Sequence, residues 1–225
     1  MLSDFQTLTL ALVRDDATRL SVNDRDTAIA NAVTRYGQDR PRPRAEDVTA
    51  SAQQFIGLPA GWQADYSTIS SIETPVGRVP PTLLSPERYS LYLDAAQTRK
   101  IMLLDAVNVG AVLRITFSVR HQLDGSTDTI PVEHREPVCC WAAALLCDQL
   151  ASLYSGSGDS TIQADSVDHS SRPREFAARA KHLRQRYFDG LGLDPKANAA
   201  GGTTVNWNAY DNQGRDRLTH PARYR

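Results

Sequence analysis

The chain has 225 residues, 41% of them hydrophobic and 23% charged, with a formal net charge of -1. That length suits one or two small domains with a real core, and that balance argues against a general affinity for nucleic acid or membrane. No segment reads as an unbroken apolar run of bilayer length, and the opening Met1-Leu2-Ser3-Asp4-Phe5 lacks the basic start of a secretory signal.

Charge is unevenly placed. Up to residue 170 there are 14 basic and 21 acidic side chains; beyond it there are 11 and 5. Opposite signs can draw copies of the chain together, or the basic end can seek an acidic partner, or the bias is only a solvated helix face. Lysine is scarce, with Lys100, Lys181 and Lys196 the only ones among 25 basic residues. Arginine in its place suits an interface-rich surface, because its planar fork bonds two acceptors at once.

In chain order, residues 3–14 read as an amphipathic helix capped by Ser3 or Asp4, with Phe5, Leu8 and Leu12 at helical spacing. A second helix is expected from an Asn23 cap with Asp26 in its first turn, burying Ile29, Ala32, Val33 and Tyr36. Gly37 is expected to stop it, and Pro41 and Pro43 to keep the chain extended. From Arg44 the texture changes to alternation and turn punctuation. Strands are expected at 45–51, 53–56, 67–74, 89–93, 100–104 and 111–119, and Asp124-Gly125 signals a tight turn. This block predicts a small antiparallel β-sheet or sandwich inserted between helices.

Helical texture returns at Pro131. Residues 137–147 carry no charge, and Leu150, Leu153 and Tyr154 prolong the apolar pattern. A helix apolar on every face must be covered on every face. Neighbouring subunits are expected to supply part of that cover, with Ala142, Ala143 and Ala144 permitting close approach. Cys139, Cys140 and Cys147 all fall in this helix and read as reduced, buried thiols. After a polar linker, Ser171 is the expected cap of a last helix. Pro173 and Glu175 fall in its first turn, and Phe176, Ala180, Leu183, Tyr187 and Leu191 form its apolar stripe. Gly190 and Gly192 are expected to end it. The remainder reads as an extended tail that keeps Trp207, Tyr210 and Tyr224, aromatics that suit ordering on a partner. The fold class expected is therefore α+β. Its parts are N-terminal helices at 1–43, a β-rich insert at 44–130, a helical part at 131–192 and an extended arm at 193–225.

Catalytic motifs are absent: there is no Walker loop, Gly-x-Gly-x-x-Gly, Gly-x-Ser-x-Gly or His-Glu-x-x-His. His134 with Cys139 and Cys140 is a poor metal set, since adjacent helical cysteines diverge by about 100°. A hydrolase built on His121 with Asp124, or on His134, lacks a fixed nucleophile. No catalytic residue, metal or cofactor is expected. The basic side of helix 171–190 can touch DNA phosphates but carries no base-reading motif. Trp141 reads as a core or interface anchor.

The stretch Asp159-Ser160-Thr161-Ile162-Gln163-Ala164-Asp165-Ser166-Val167-Asp168 precedes a helix ending Arg186-Tyr187-Phe188-Asp189-Gly190-Leu191-Gly192. Together these resemble the C-terminal part of tailed-bacteriophage head-to-tail connector (adaptor) proteins. The Ala/Leu-rich helix ending Gln149-Leu150-Ala151-Ser152-Leu153-Tyr154 fits, as does Asp24-Arg25-Asp26-Thr27-Ala28-Ile29 as an N-terminal adaptor helix. The β block at 44–130 goes beyond the small helical bundle of the simplest connectors. The resemblance implies a virion protein assembled in the host cytoplasm, a homo-oligomeric and dodecameric ring beneath the portal that extends the DNA channel. The implied partners are the portal protein, further copies of the chain, tail-side connector proteins and, non-specifically, the genomic DNA passing through; no membrane is implied. The portal-binding arm would use Trp207, Tyr210, Arg215, Arg217, Arg223, Tyr224 and Arg225. Contacts between subunits would use Trp141, Leu145, Leu146, Leu150, Arg179 and Arg184. The nearest alternative is a tail-terminator or head-completion subunit; a small cytosolic hydrolase is the alternative from another class.

Overall fold

The computed structural model describes residues 1–14, 19–156 and 171–195. The chain divides into two units, Met1–Gly192 and Leu193–Arg225. Only residues 193–195 of the second are described. Among its described residues the first unit is α+β: four α-helices and two three-stranded antiparallel sheets.

The helices are α1 (Leu2–Val13), α2 (Val22–Asp39), α3 (Arg135–Gly156) and α4 (Ser171–Leu191). The apolar α3 lies against the other three. Val138, Cys139, Cys140, Ala142, Ala143, Ala144, Leu146, Cys147 and Leu150 are all buried in one copy of the chain. The cover that the sequence assigned to neighbouring subunits thus comes here from α1, α2 and α4. With the preceding 3-10 turn, α3 makes a helix of 24 residues at Val132–Ser155, whose most apolar 18-residue window has a mean hydropathy of 1.3. By length and composition it could cross a bilayer, which corrects the expectation of no such segment. Half of its most apolar window is buried inside the fold, as in the core helix of a globular body.

Several helix ends differ from expectation for local reasons. Met1, not Ser3 or Asp4, is the N-cap of α1, and Asp4 sits in its first turn. Phe5, Thr9 and Val13 are its buried residues, with Leu8 and Leu12 half-buried beside them. Ser21, not Asn23, caps α2. Its hydroxyl accepts from Asp24 N at 3.1 Å while Asp24 Oδ2 accepts from Ser21 N at 2.9 Å, a complete capping box. Gly37 does not stop α2, which runs on to Asp39. Gly37 is instead where the insert approaches: the Tyr66 hydroxyl donates to its carbonyl at 2.5 Å.

Gly190 also lies within its helix. A Cβ there would sit 2.7 Å from Pro137 Cγ, so its missing side chain lets α4 close on the first turn of α3. Gly192, at φ +62°, ends the helix and donates to Asp189 O at 3.1 Å. Gly190→Ala should therefore lower stability. It gains about 1 kcal/mol of helix propensity but loses about 1–3 kcal/mol to overpacking against a stiff ring. Gly57→Ala, where no atom lies within 4 Å of the new carbon, should melt near wild type. Thermal unfolding of both variants checks this.

The strands are β1 (Arg42–Thr49), β2 (Phe55–Ile56), β3 (Ile69–Glu73), β4 (Tyr89–Leu93), β5 (Arg99–Leu103) and β6 (Val112–Val119). One sheet has the order β1-β6-β3, the other β2-β5-β4. Alternation on β6 turns Leu113, Ile115 and Phe117 inward, where they share one core with Ile72 of β3 and Ile56, Ile101 and Leu103 of the other sheet. The insert is thus a small sandwich. Pro43 lies in β1, an edge strand, where a missing N–H costs no ladder bond on the open side. Asp124 forms the expected turn, its Oδ1 accepting from the Ser126 and Thr127 amides at 2.7 and 2.6 Å.

Candidate assembly surface

His121, His134 and Asp124, the groups on which a hydrolase would be built, hold the fold together. His121 sits where α2 meets the insert. Its Nε2 lies 3.0 Å from Arg40 O and its Nδ1 3.1 Å from Thr129 O. His134 Nδ1 lies 2.7 Å from the Tyr36 hydroxyl, and both imidazoles pack on the Tyr36 ring. Asp124, the imagined partner of His121, is taken up by its own turn. Among the described residues no three His, Cys, Asp or Glu side chains are grouped to hold a metal ion. The Tyr187 hydroxyl is buried and donates to Asp39 Oδ2 at 2.6 Å; burial, then that carboxylate, pushes its pKa up.

The three cysteines are free and buried. Burial pushes the Cys139 thiol up to about 12, Cys147 up to about 11, and Cys140 in the same direction. A thiol held protonated is neither nucleophile nor ligand. Labelling by a thiol reagent at about pH 8 should be slow in the native protein and complete once denatured. Rapid native labelling of even one thiol would contradict this burial.

Three of the six basic residues of α4 brace the helices. Arg179 Nη1 donates to Val13 O at 2.9 Å, closing the end of α1. Arg184 pairs with Asp148, and Arg186 with Glu136, both on α3. Of the residues the sequence placed between subunits, Leu146 and Leu150 are in the core of one chain. Trp141 and Leu145 are half-buried. The Trp141 ring packs on Tyr187 at 4.8 Å between centroids, and the Arg35 guanidinium lies over it at 5.2 Å. Trp207, Tyr210, Arg215, Arg217, Arg223, Tyr224 and Arg225 lie outside the described residues.

What the sequence reading missed is the exposed apolar surface on the hairpin of β4 and β5. Its residues Leu91, Tyr92 and Leu93 are 46%, 41% and 49% exposed. Leu91 pairs with the buried Ile101 and faces the core side, but at the edge of the sheet it overhangs the core. On the other face, Tyr92 packs on Phe55 at 5.2 Å between ring centroids, and Phe55 stands opposite Met102. Phe55, Met102 and Leu104 are also exposed. The signal was present in Leu91-Tyr92-Leu93: a half-buried strand alternates apolar with polar, and this one is apolar at successive positions.

No protein-family model matches the chain. No curated protein matches it either. Among solved structures it is similar to a chain of the neck of a native gene transfer agent particle computed with C12 symmetry. That similarity has 18% identity and a TM-score of 0.26, over 75% of this chain and 87% of that one. A chain of the neck of an empty particle, computed with C6 symmetry, gives 16% identity and a TM-score of 0.26 over 67% and 74%. One from the virion of the native particle gives 15% and 0.23 over 67% and 74%. At these TM-scores the likeness carries no argument about shape or role.

Proposed function

We propose that the chain is a structural, non-enzymatic subunit of a tailed-phage-like virion, a head-to-tail connector that forms a ring beneath the portal and extends the DNA channel. One observation carries the reading: His121, His134, the three cysteines and the arginines Arg179, Arg184 and Arg186 of α4 are tied into the fold, while an apolar hairpin is left bare. A body built this way offers contacts, not chemistry. The connector role itself comes from the sequence resemblance. In this reading α3 and α4 form the ring wall. The half-buried Trp141 and Leu145 face a neighbour, Leu146 and Leu150 hold the wall together from within, and Arg179 and Arg184 fix its helices. The arm beyond Pro195 grips the portal, and the tail-side connector proteins dock on the opposite end. The ring is dodecameric, and the protein assembles in the host cytoplasm and leaves with the virion.

Removal of the gene from the particle that encodes it tests this. DNA-filled heads and free tails should accumulate unjoined, and purified protein should restore joining. Normal particles without the protein would refute the reading.

A further inference from the structure

We infer that the free edge of β4, with the apolar side chains around it, is where a second copy of this chain docks. The inference rests on the reading of the chain as a self-assembling subunit and adds the surface.

The edge is open. Among the described residues β4 ends its sheet, in the order β2-β5-β4. Asp94 N donates to Thr98 O at 3.0 Å and Leu104 N to Arg88 O at 2.8 Å. Bonded pairs of an antiparallel ladder alternate, so Leu91 and Leu93 turn their N–H and C=O groups away from β5. Such an edge is a template for another strand unless it is guarded. The contrast with β1 is internal to the protein: that edge carries Arg42, Pro43, Arg44, Glu46 and Asp47, whereas Tyr89-Ser90-Leu91-Tyr92-Leu93 has no charge and no proline.

The size fits a subunit contact. Phe55, Leu91, Tyr92, Leu93, Met102 and Leu104 are between 36% and 62% exposed. At ~200 Å² per large side chain, that is on the order of 500 Å² of apolar surface. A standard interface buries about 800 Å² per partner, of which about 450–500 Å² is apolar.

The charges around the edge favour a like partner. Arg88 pairs with Asp105 at 2.5 Å, Arg99 with Asp65 at 2.6 Å and Lys100 with Asp94 at 2.9 Å. These pairs leave the border near neutral, with Glu87 adding one negative charge. Nothing there draws nucleic acid or a strongly charged protein, and nothing repels an identical copy.

Sedimentation of the full chain up to about 100 µM tests the inference, since subunit contacts of this size span micromolar to picomolar affinity. The wild type should associate with rising concentration. Leu91→Lys/Leu93→Lys, which adds charge to the edge itself, should raise the dissociation constant about 100-fold. Tyr92→Lys, on the opposite face, should raise it about 10-fold. Circular dichroism should show both variants folded. Variants that associate like wild type overturn the inference and leave the ring reading standing, since rings would then use another surface. A strictly monomeric wild type also overturns it. Closed dimers, abolished in both variants and never giving rings, support the inference and count against the ring.

Discussion

Replacing Leu146 with aspartate should leave no folded protein at room temperature. Leu146 is 0% exposed, in the middle of α3, and its buried neighbours on that helix are Ala142, Ala143, Cys147 and Leu150. Deleting its side chain alone costs about 2–5 kcal/mol. A carboxylate in its place must either stay charged without a partner or take up a proton, which costs several kcal/mol more. The sum approaches the whole stability of a domain, about 5–15 kcal/mol. Leu153→Asp on the same helix is the control. Leu153 is 51% exposed, so this change should alter stability by less than about 1 kcal/mol. Far-ultraviolet circular dichroism and thermal melts separate the two. A Leu146→Asp variant that melts like wild type would show that α3 is not the centre of the body.

Truncation after Pro195 should leave the body intact and abolish the joining of heads to tails. The body, Met1–Gly192, is a unit by itself. The end of α4 is closed within it: Gly192 N donates to Asp189 O at 3.1 Å and Arg40 Nη2 to Leu191 O at 2.7 Å. The melting temperature should therefore shift by no more than about 2 °C, less than 1 kcal/mol for a body of this size. In the proposed role the lost segment is the portal grip. Trp207 and Tyr210 would fill pockets, and Arg215, Arg217, Arg223 and Arg225 would pair with acidic groups around them, the arrangement usual for binding hot spots. Joining should fall to the level seen without the protein. Truncated protein that joins heads to tails at normal efficiency would remove the arm from the portal contact, and bracing of neighbouring copies would take its place.

The legibility of this fold tracks how local its causes are. Strand β4 falls at residues 89–93, as expected, because a five-residue run rich in aromatic and apolar side chains marks a strand locally. The box at Ser21 and Asp24 outcompetes the Asn23 start because both of its bonds are made; the sequence offers two overlapping caps and does not rank them. The glycines mislead because their reason is distant. Gly190 answers to Pro137, and Gly37 to Tyr66. Cover for α3 was not legible either. Counting apolar positions shows that a helix must be buried, but not whether its own chain or another copy does the burying. The same holds for the candidate surface. The arginines of α4 looked available in sequence, yet Arg184 and Arg186 are paired with Asp148 and Glu136 of α3. The overhang of Leu91 and Leu93 exists only once β4 is known to end its sheet.

Electron microscopy of the purified full chain, alone and mixed with DNA-filled heads of the particle that encodes it, tests the central claim most directly. The account predicts rings of rotational symmetry seated on the portal vertex, with density for the body of this chain in each repeat. Heads that gain no density at that vertex, with the protein remaining unattached in solution, would contradict it.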